Sequence, residues 1–355
     1  MKFKVRAIQA ACGAAALAFL IVAAFLLFLT VTDYRPEYKT KLAVENNAGD
    51  RIKINEELTI VTSNVGYGAM DDEMDFFLDG GKRSRAKDRD RVLRNIKGII
   101  DVISSVAPDF VLAQEIDLPS TRSYRVNEYD LFKAAFKRHG TSFAIDLKIP
   151  WIPVPIWEPH GRVLAGEATF SDKKIVFSER ISLPIEESWP RRLWALDNCL
   201  LETRYAVADR RDLVIYNAHL SAYDKGGGIR KKQLDLIGRL LEEAAARGDY
   251  VILGGDFNHA IPGSDASKFS AKEPAPDWYQ EMPRDFNPRG YRWVFDQKVA
   301  TNRTAGTPYI KGDNFLSIVD GFMVSDNIEV VKTAGIDAQF RYSDHNPVAM
   351  TFRLK

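Results

Sequence analysis

The chain has 355 residues, with 49 Lys+Arg against 48 Asp+Glu, 46% hydrophobic and 27% charged residues. This composition is globular and excludes a disordered, collagen-like or multi-spanning membrane protein. A formal net charge of +1 gives no electrostatic case for a general nucleic-acid binder, and two cysteines, Cys12 and Cys199, exclude a disulfide framework or a cysteine zinc site.

The first predicted element is apolar. Residues 1–6 carry Lys2, Lys4 and Arg6, and residues 7–32 carry no charge, a run of roughly 26 residues against a hydrocarbon core ~30 Å thick. The basic flank stays in the cytoplasm under the positive-inside tendency, so a single-pass cell-membrane protein with an extracytoplasmic remainder is expected. A cleaved signal peptide is the competing reading. Its apolar region would be shorter and followed by a small-x-small site, which the exit FLLFLTVTDY lacks, so an uncleaved signal anchor is favoured. Residues 33–57 are polar and aperiodic and read as a juxtamembrane linker. Residues 58–355 suit one α/β domain without repeats. Strand-like runs recur at 58–65, 110–116, 213–220, 250–257, 317–324 and 347–354, and helical periodicity appears over 91–106 and 229–246. That alternation provides enough strands for two packed sheets with helices outside.

Polar residues collect at the ends of these strands. Asn64 ends the first and precedes Gly66-Tyr67-Gly68; Glu115 closes the second. Asn217 and His219 are two apart and share a strand face, as do Asp256 and Asn258, which follow Gly254-Gly255. Asp320 lies within the apolar run 317–324, and Asp344-His345 precede the last strand. Singly, these are turn, cap or core residues as readily as functional ones. Together, carboxylates and carboxamides suit a hard divalent cation, and histidines add acid–base groups, which fits metal-assisted attack of water on a phosphoester.

In this order the motifs TSNVGYG (62–68), QE (114–115), NAHL (217–220), GGDFN (254–258), SIVDGFMVS (317–325) and SDHNP (343–347) resemble the endonuclease/exonuclease/phosphatase superfamily, over residues 58–355. The resemblance implies a four-layer αββα sandwich of two mixed sheets. It also implies Mg²⁺ (or Mn²⁺) held by Asn64, Glu115 and Asp344, and a catalytic set of His219, Asp256, Asn258, Asp320 and His345, with Asn217 at the substrate. It leaves open whether Asp256 or His345 is the base. Residues 166–171, GEATFS, depart from the family's small-residue pattern by a charge at Glu167, which puts local substrate contacts in question. The string GGDFNH also suggests a calcineurin-like dinuclear phosphoesterase, but that fold needs Asp-x-His near the first strand, where Ser63-Asn64-Val65 stands.

The expectation is therefore a membrane-anchored phosphoesterase acting on a phosphodiester or phosphomonoester. Its substrate would be a phospholipid or another membrane-proximal phosphate ester. Nucleic acid is not favoured, because its binding rests on phosphate neutralisation and the exported part is slightly acidic. A nuclease of the same family and a non-catalytic binding domain are the alternatives, and no obligate protein partner is inferred. Two segments have candidate roles in substrate choice. The loop Trp151–Trp157 could sit in a bilayer interface or simply pack on itself. The basic run Gly80–Arg91 could meet anionic groups or be a solvated loop leading into a helix. Arg122 and Arg125 follow Glu115 closely enough to face the site, whereas His139, His160 and His259 have no matched role.

Overall fold

The computed structural model describes residues 2–222, 224 and 226–355. In chain order its elements are α1 (Lys2–Val31), β1 (Lys39–Lys41), β2 (Leu58–Asn64), α2 (Arg89–Ser104), β3 (Phe110–Asp117), α3 (Glu128–Ala135), β4 (Gly140–Ile152) and β5 (Gly161–Ser171). Then come β6 (Ile175–Ser182), β7 (Cys199–Ala206), β8 (Asp212–His219), α4 (Gly228–Arg247), β9 (Tyr250–Asp256), β10 (Tyr291–Val294), β11 (Asn302–Arg303), β12 (Leu316–Ser317), β13 (Asp320–Ser325), β14 (Ile328–Gly335) and β15 (Val348–Leu354).

Period-two alternation explains the layers. In β2, Leu58 and Ile60 face one side and Val61 the other; in β3, Phe110 and Leu112 oppose Val111 and Ala113. The first set meets Leu213, Ile215, Ile252, Phe322, Met350 and Phe352 in a core between two sheets. The second set packs under α2, whose Val92, Ile96, Ile99 and Ile103 recur at helical spacing. On the far side Leu234, Ile237, Leu241 and Ala244 of α4 cover Val214, Val251 and Leu253. Each such buried aliphatic or aromatic side chain contributes about 1.5–3 kcal/mol. One sheet has the order β1-β6-β7-β8-β9-β13-β10 and the other β14-β15-β2-β3-β5-β4. Among the strands of the described residues, β2/β3 and β8/β9 pair in parallel and the others antiparallel, and the two parallel pairs are those joined through α2 and α4. The layers are helix, sheet, sheet, helix, as expected.

Two expectations change. The run 317–324 is broken into β12 and β13, because the N–H groups of Val319 and Asp320 both donate to Thr301 Oγ1 at 3.0 Å instead of continuing a ladder. Residues 33–57 do not hang free as a linker. Lys39–Lys41 pairs with the edge strand β6, Glu45 bridges Thr141, Asp50 bridges Lys173, and Ile52 is fully buried. An exposed edge and one apolar slot suffice to strap the segment down.

Within α1, Phe3–Val31 is long and apolar enough to cross a membrane, with mean hydropathy 2.8, and almost all of it is exposed. Only its end touches the domain. Leu29 is buried, Trp189 Nε1 donates to Thr30 Oγ1 at 3.2 Å, and Arg192 donates to the Tyr34 carbonyl at 2.9 Å.

Candidate active site

The inner faces of four strands change character along their length. Leu58 and Ile60 give way to Thr62 and Asn64, Leu213 and Ile215 to Asn217 and His219, Ile252 to Gly254 and Asp256, and in β13 Phe322 and Val324 are preceded by Asp320. The apolar core thus ends in a polar floor at one end of the sandwich. Register aligns three of its members in a row, with His219 opposite Asp256 and Asp256 opposite Asp320. Gly255 makes this possible. Its φ is +149°, and a Cβ there would lie 1.9 Å from the Ala218 carbonyl oxygen. A Cβ at Gly254 would lie 2.6 Å from Phe322. Glu115 arrives by a different device: the β3/β5 register slips between Ala113 and Ile116, and Glu115 takes φ 55°, a bulge that re-aims its side chain.

Asp256 Oδ2 is the meeting point. Asn64 Nδ2 donates to it at 3.1 Å, His219 Nε2 lies 3.7 Å away and His345 Nε2 3.6 Å away. Asp256 Oδ1 accepts the Asn258 backbone N–H at 2.8 Å, and Asn258 Nδ2 donates to the Leu220 carbonyl at 2.8 Å. His345 Nδ1 sits 2.8 Å from Asp320 Oδ2. Burial alone would lower the His345 imidazole, but the carboxylates of Asp320, Asp256 and Asp344 outweigh it and hold the ring well above its ordinary value. Burial pushes Asp320 up to about 6 against the pull of His345. Asp320 thus orients the His345 ring, whose second nitrogen lies 3.6 Å from Asp256 Oδ2.

On the other side of Asn64, its Nδ2 also donates to Glu115 Oε1 at 3.1 Å, while Asn64 Oδ1 accepts the Gly66 N–H at 2.9 Å. Asp344 is half-buried and lifted to about 6, first by desolvation and further by the charge of Glu115, although His345 and Arg303 pull it down. Two carboxylates facing one shared space are a fit for a hard divalent cation, and Glu115 keeps a quarter of its side chain open to solvent. Ligand atoms of Asp256, Asp320 and His345 also lie within 4.8 Å of one another. There, however, both ring nitrogens of the histidine already face partners, Nδ1 at 2.8 Å from Asp320 Oδ2 and Nε2 at 3.0 Å from Asn302 Nδ2.

The expected residues therefore converge, with one exception. Asn217 has no access to a substrate. It is fully buried, its Oδ1 accepts from Gln114 Nε2 at 2.6 Å, and its Nδ2 donates to the Ala113 and Ala168 carbonyls. It bridges the two sheets beneath the floor. Glu167 is likewise fully buried, so the departure at residues 166–171 falls between the sheets. Arg122 borders the cleft, with its guanidinium on Asp117 at 2.9 Å and stacked 3.8 Å over the Tyr67 ring. His160 lies in a nest of Tyr67, Phe76 and Phe77, and burial pushes it down to about 3. His259 is bonded to the Phe257 carbonyl and is pushed down to about 4, chiefly by burial.

Two residues were not foreseen. Asn302 Nδ2 lies 3.0 Å from His345 Nε2, and Asp146 Oδ2 lies 4.0 Å from His219 Nδ1. Neither stands in a motif; both reach the site through tertiary pairing of short or bulged strands.

The family model for the endonuclease/exonuclease/phosphatase family matches residues 61–345. The chain belongs to that family. Three solved structures are similar to it. An endonuclease/exonuclease/phosphatase protein from Beutenbergia cavernae has TM-score 0.56 and 18% identity, with 84% of this chain and 72% of that one covered. Danio rerio TDP2, complexed with a single-stranded DNA product, has TM-score 0.54 and 16% identity over 84% and 99%. The human Nocturnin catalytic domain, with a bound sulfate, has TM-score 0.51 and 18% identity over 86% and 97%. At these identities the likeness carries the fold. No curated protein matches the sequence. Members of the endonuclease/exonuclease/phosphatase family are metal-dependent phosphoester hydrolases.

Proposed function

We propose that this chain is a divalent-metal-dependent phosphoesterase, tethered to a membrane by α1, that hydrolyses a phosphodiester or phosphomonoester with an activated water. The observation that carries the reading is the His345–Asp320 pair at 2.8 Å facing Asp256 across 3.6 Å, beside the carboxylates of Glu115 and Asp344.

Glu115 and Asp344 would hold Mg²⁺ or Mn²⁺, with Asn64 fixing Glu115 and Asp256 in place. Bound there, the ion supplies Lewis-acid stabilisation of charge on phosphate oxygens. The remaining work falls to the chain. Asp256, bonded to Asn64 and to the Asn258 N–H, accepts the proton of a water as its oxygen bonds to phosphorus. Asp320 keeps the His345 imidazolium oriented toward the phosphate, where it donates to a non-bridging oxygen as negative charge grows. His219, 3.8 Å from Glu115 and 3.7 Å from Asp256, stands where it can contact a second oxygen or the leaving group as the phosphorus–oxygen ester bond breaks. This assignment makes Asp256 the base.

The test is turnover by the purified chain with Mg²⁺ or Mn²⁺ on a panel of phospholipids, sphingomyelin, phosphorylated inositols, DNA and a soluble aryl diester. Turnover of DNA in preference to the others would select the nuclease alternative. No turnover on any, with His345→Ala indistinguishable from wild type, would select the binding domain.

A further inference from the structure

Six tryptophans occur in the chain. Three of them, Trp151, Trp157 and Trp189, are exposed at 42%, 73% and 60%, and the segments that carry them, the β4–β5 strand pair and the stretch after β6, contact the end of α1 or the residues just past it. Trp189 bonds Thr30 near the end of α1. Lys148 of β4 lies 5.3 Å over the Tyr34 ring, just past that helix, and Trp151 is three residues further, about 10 Å along the strand. The β4–β5 tip carries two more exposed apolar residues, Val154 at 45% and Ile156 at 84%. Its turn closes through Glu158 N–H on the Pro155 carbonyl at 3.0 Å and His160 N–H on the Val154 carbonyl at 3.1 Å. It is also fastened to the basic run: Trp157 Nε1 donates to the Lys82 carbonyl at 2.9 Å, Ser84 N to Glu158 at 2.7 Å, and Arg85 to the Pro159 carbonyl at 2.7 Å. Exposed indoles flanked by cations on a rigid tip have the chemistry of a bilayer interface with anionic headgroups. The catalytic groups open onto the same end. A cleft of about 310 Å³ runs from Glu115 and His219 along Leu147 to Trp194 and Leu196, in the segment that also holds Trp189 and Arg192.

We propose that this end of the domain seats on the bilayer that α1 enters, through Trp151, Ile156, Trp157 and Trp189, and that the cleft takes a lipid-borne phosphoester from that surface. The second half rests on the hydrolase reading above; the first does not. The phosphate would reach Glu115 and His219 while the acyl part stays along the apolar wall or in the membrane.

The full chain, reconstituted in phosphatidylcholine–phosphatidylserine vesicles with acyl chains brominated just below the headgroups, tests the seating by tryptophan quenching. Quenching that drops in Trp151→Phe/Trp157→Phe supports it; equal quenching in wild type and variant, or a tip buried in a second copy of the chain, overturns it. Turnover tests the substrate. Ile156→Asp/Trp157→Asp should lower hydrolysis of vesicle lipids (sphingomyelin, phosphatidylcholine, phosphatidylglycerol) by about tenfold while leaving a soluble aryl diester within about twofold, because only the first needs interfacial burial. Equal loss on both, or wild-type turnover of the soluble diester and DNA but of no lipid, overturns the lipid assignment. If wild type hydrolyses nothing, the hydrolase reading and the lipid assignment fall together, and quenching still decides the seating.

Discussion

At Asp256 Oδ2, Asn64, His219 and His345 converge, so that single substitutions there act through charge as much as through contact. Asp320→Asn keeps the shape of the His345 contact but removes the charge that holds the ring protonated. Turnover is expected to fall by about 100-fold, in the range of a lost acid–base group. The alkaline limb of its kcat/KM profile should move to lower pH, because a ring with a less raised pKa sheds its proton sooner. A profile unmoved by Asp320→Asn would remove the imidazolium from the mechanism. Asp146 offers a stability test. Burial pushes its carboxyl up to about 6, against 3.8 ordinarily, so the folded chain binds the extra proton. Its contribution is whole below pH ~4 and is lost as pH rises through about 6, worth on the order of 3 kcal/mol. Asp146→Asn should flatten the dependence of Tm on pH across that window; a wild-type Tm that rises through it would contradict the burial argument. Legibility at this scale followed spacing. Asn64, His219 and Asp256 stood at ends of apolar runs and Asp320 within one. Asn302 and Asp146 carried no such signal, and Asn217 shared the face of His219 yet lies one step deeper, inside the sheet-to-sheet contact.

Elements place these residues to fractions of an ångström, and β9 does so most tightly. Gly255→Ala would drive a methyl into the Ala218 carbonyl oxygen on the neighbouring strand. Destabilisation by roughly 3 kcal/mol is expected, the scale of a strained backbone position plus a clash. Activity should fall beyond the loss of folded protein, since the row His219–Asp256–Asp320 crosses that strand pair. Chemical denaturation alongside specific activity per folded molecule checks both, and unchanged values would deny the close approach. Strands β2, β3, β8 and β9 were legible as strands because they are nearly continuous apolar runs, and their parallel pairing emerged only in the structure. Strands β4 to β7 were harder to read. Their inner faces carry Asp146, Glu167 and Arg180, whose burial depends on partners remote in sequence. The 33–57 strap was invisible for the same reason: it is defined by an edge that only the finished sheet presents.

For the whole molecule, the near balance of charge acquires a local meaning. The site is acidic, with Glu115, Asp256, Asp320 and Asp344 gathered at one end of the sandwich, and under the proposed function it would need a cation before receiving a phosphate. Chelation should abolish turnover and Mg²⁺ or Mn²⁺ restore it. Glu115→Gln should raise the metal concentration for half-activity by at least ~10-fold, the scale at which even outer-sphere partners of a metal matter. The family was legible from ordered motifs because each marks a strand end that the fold brings to one place. The helix α1 was legible from length and apolarity alone. The most direct measurement is steady-state hydrolysis of a soluble aryl phosphodiester by the full chain, in parallel with Glu115→Gln and His345→Ala, with and without chelator. A metal-dependent rate that falls by about 100-fold or more in His345→Ala is the predicted result. A rate equal in wild type and His345→Ala, or undiminished by chelation, would contradict a metal-assisted hydrolase built on these residues.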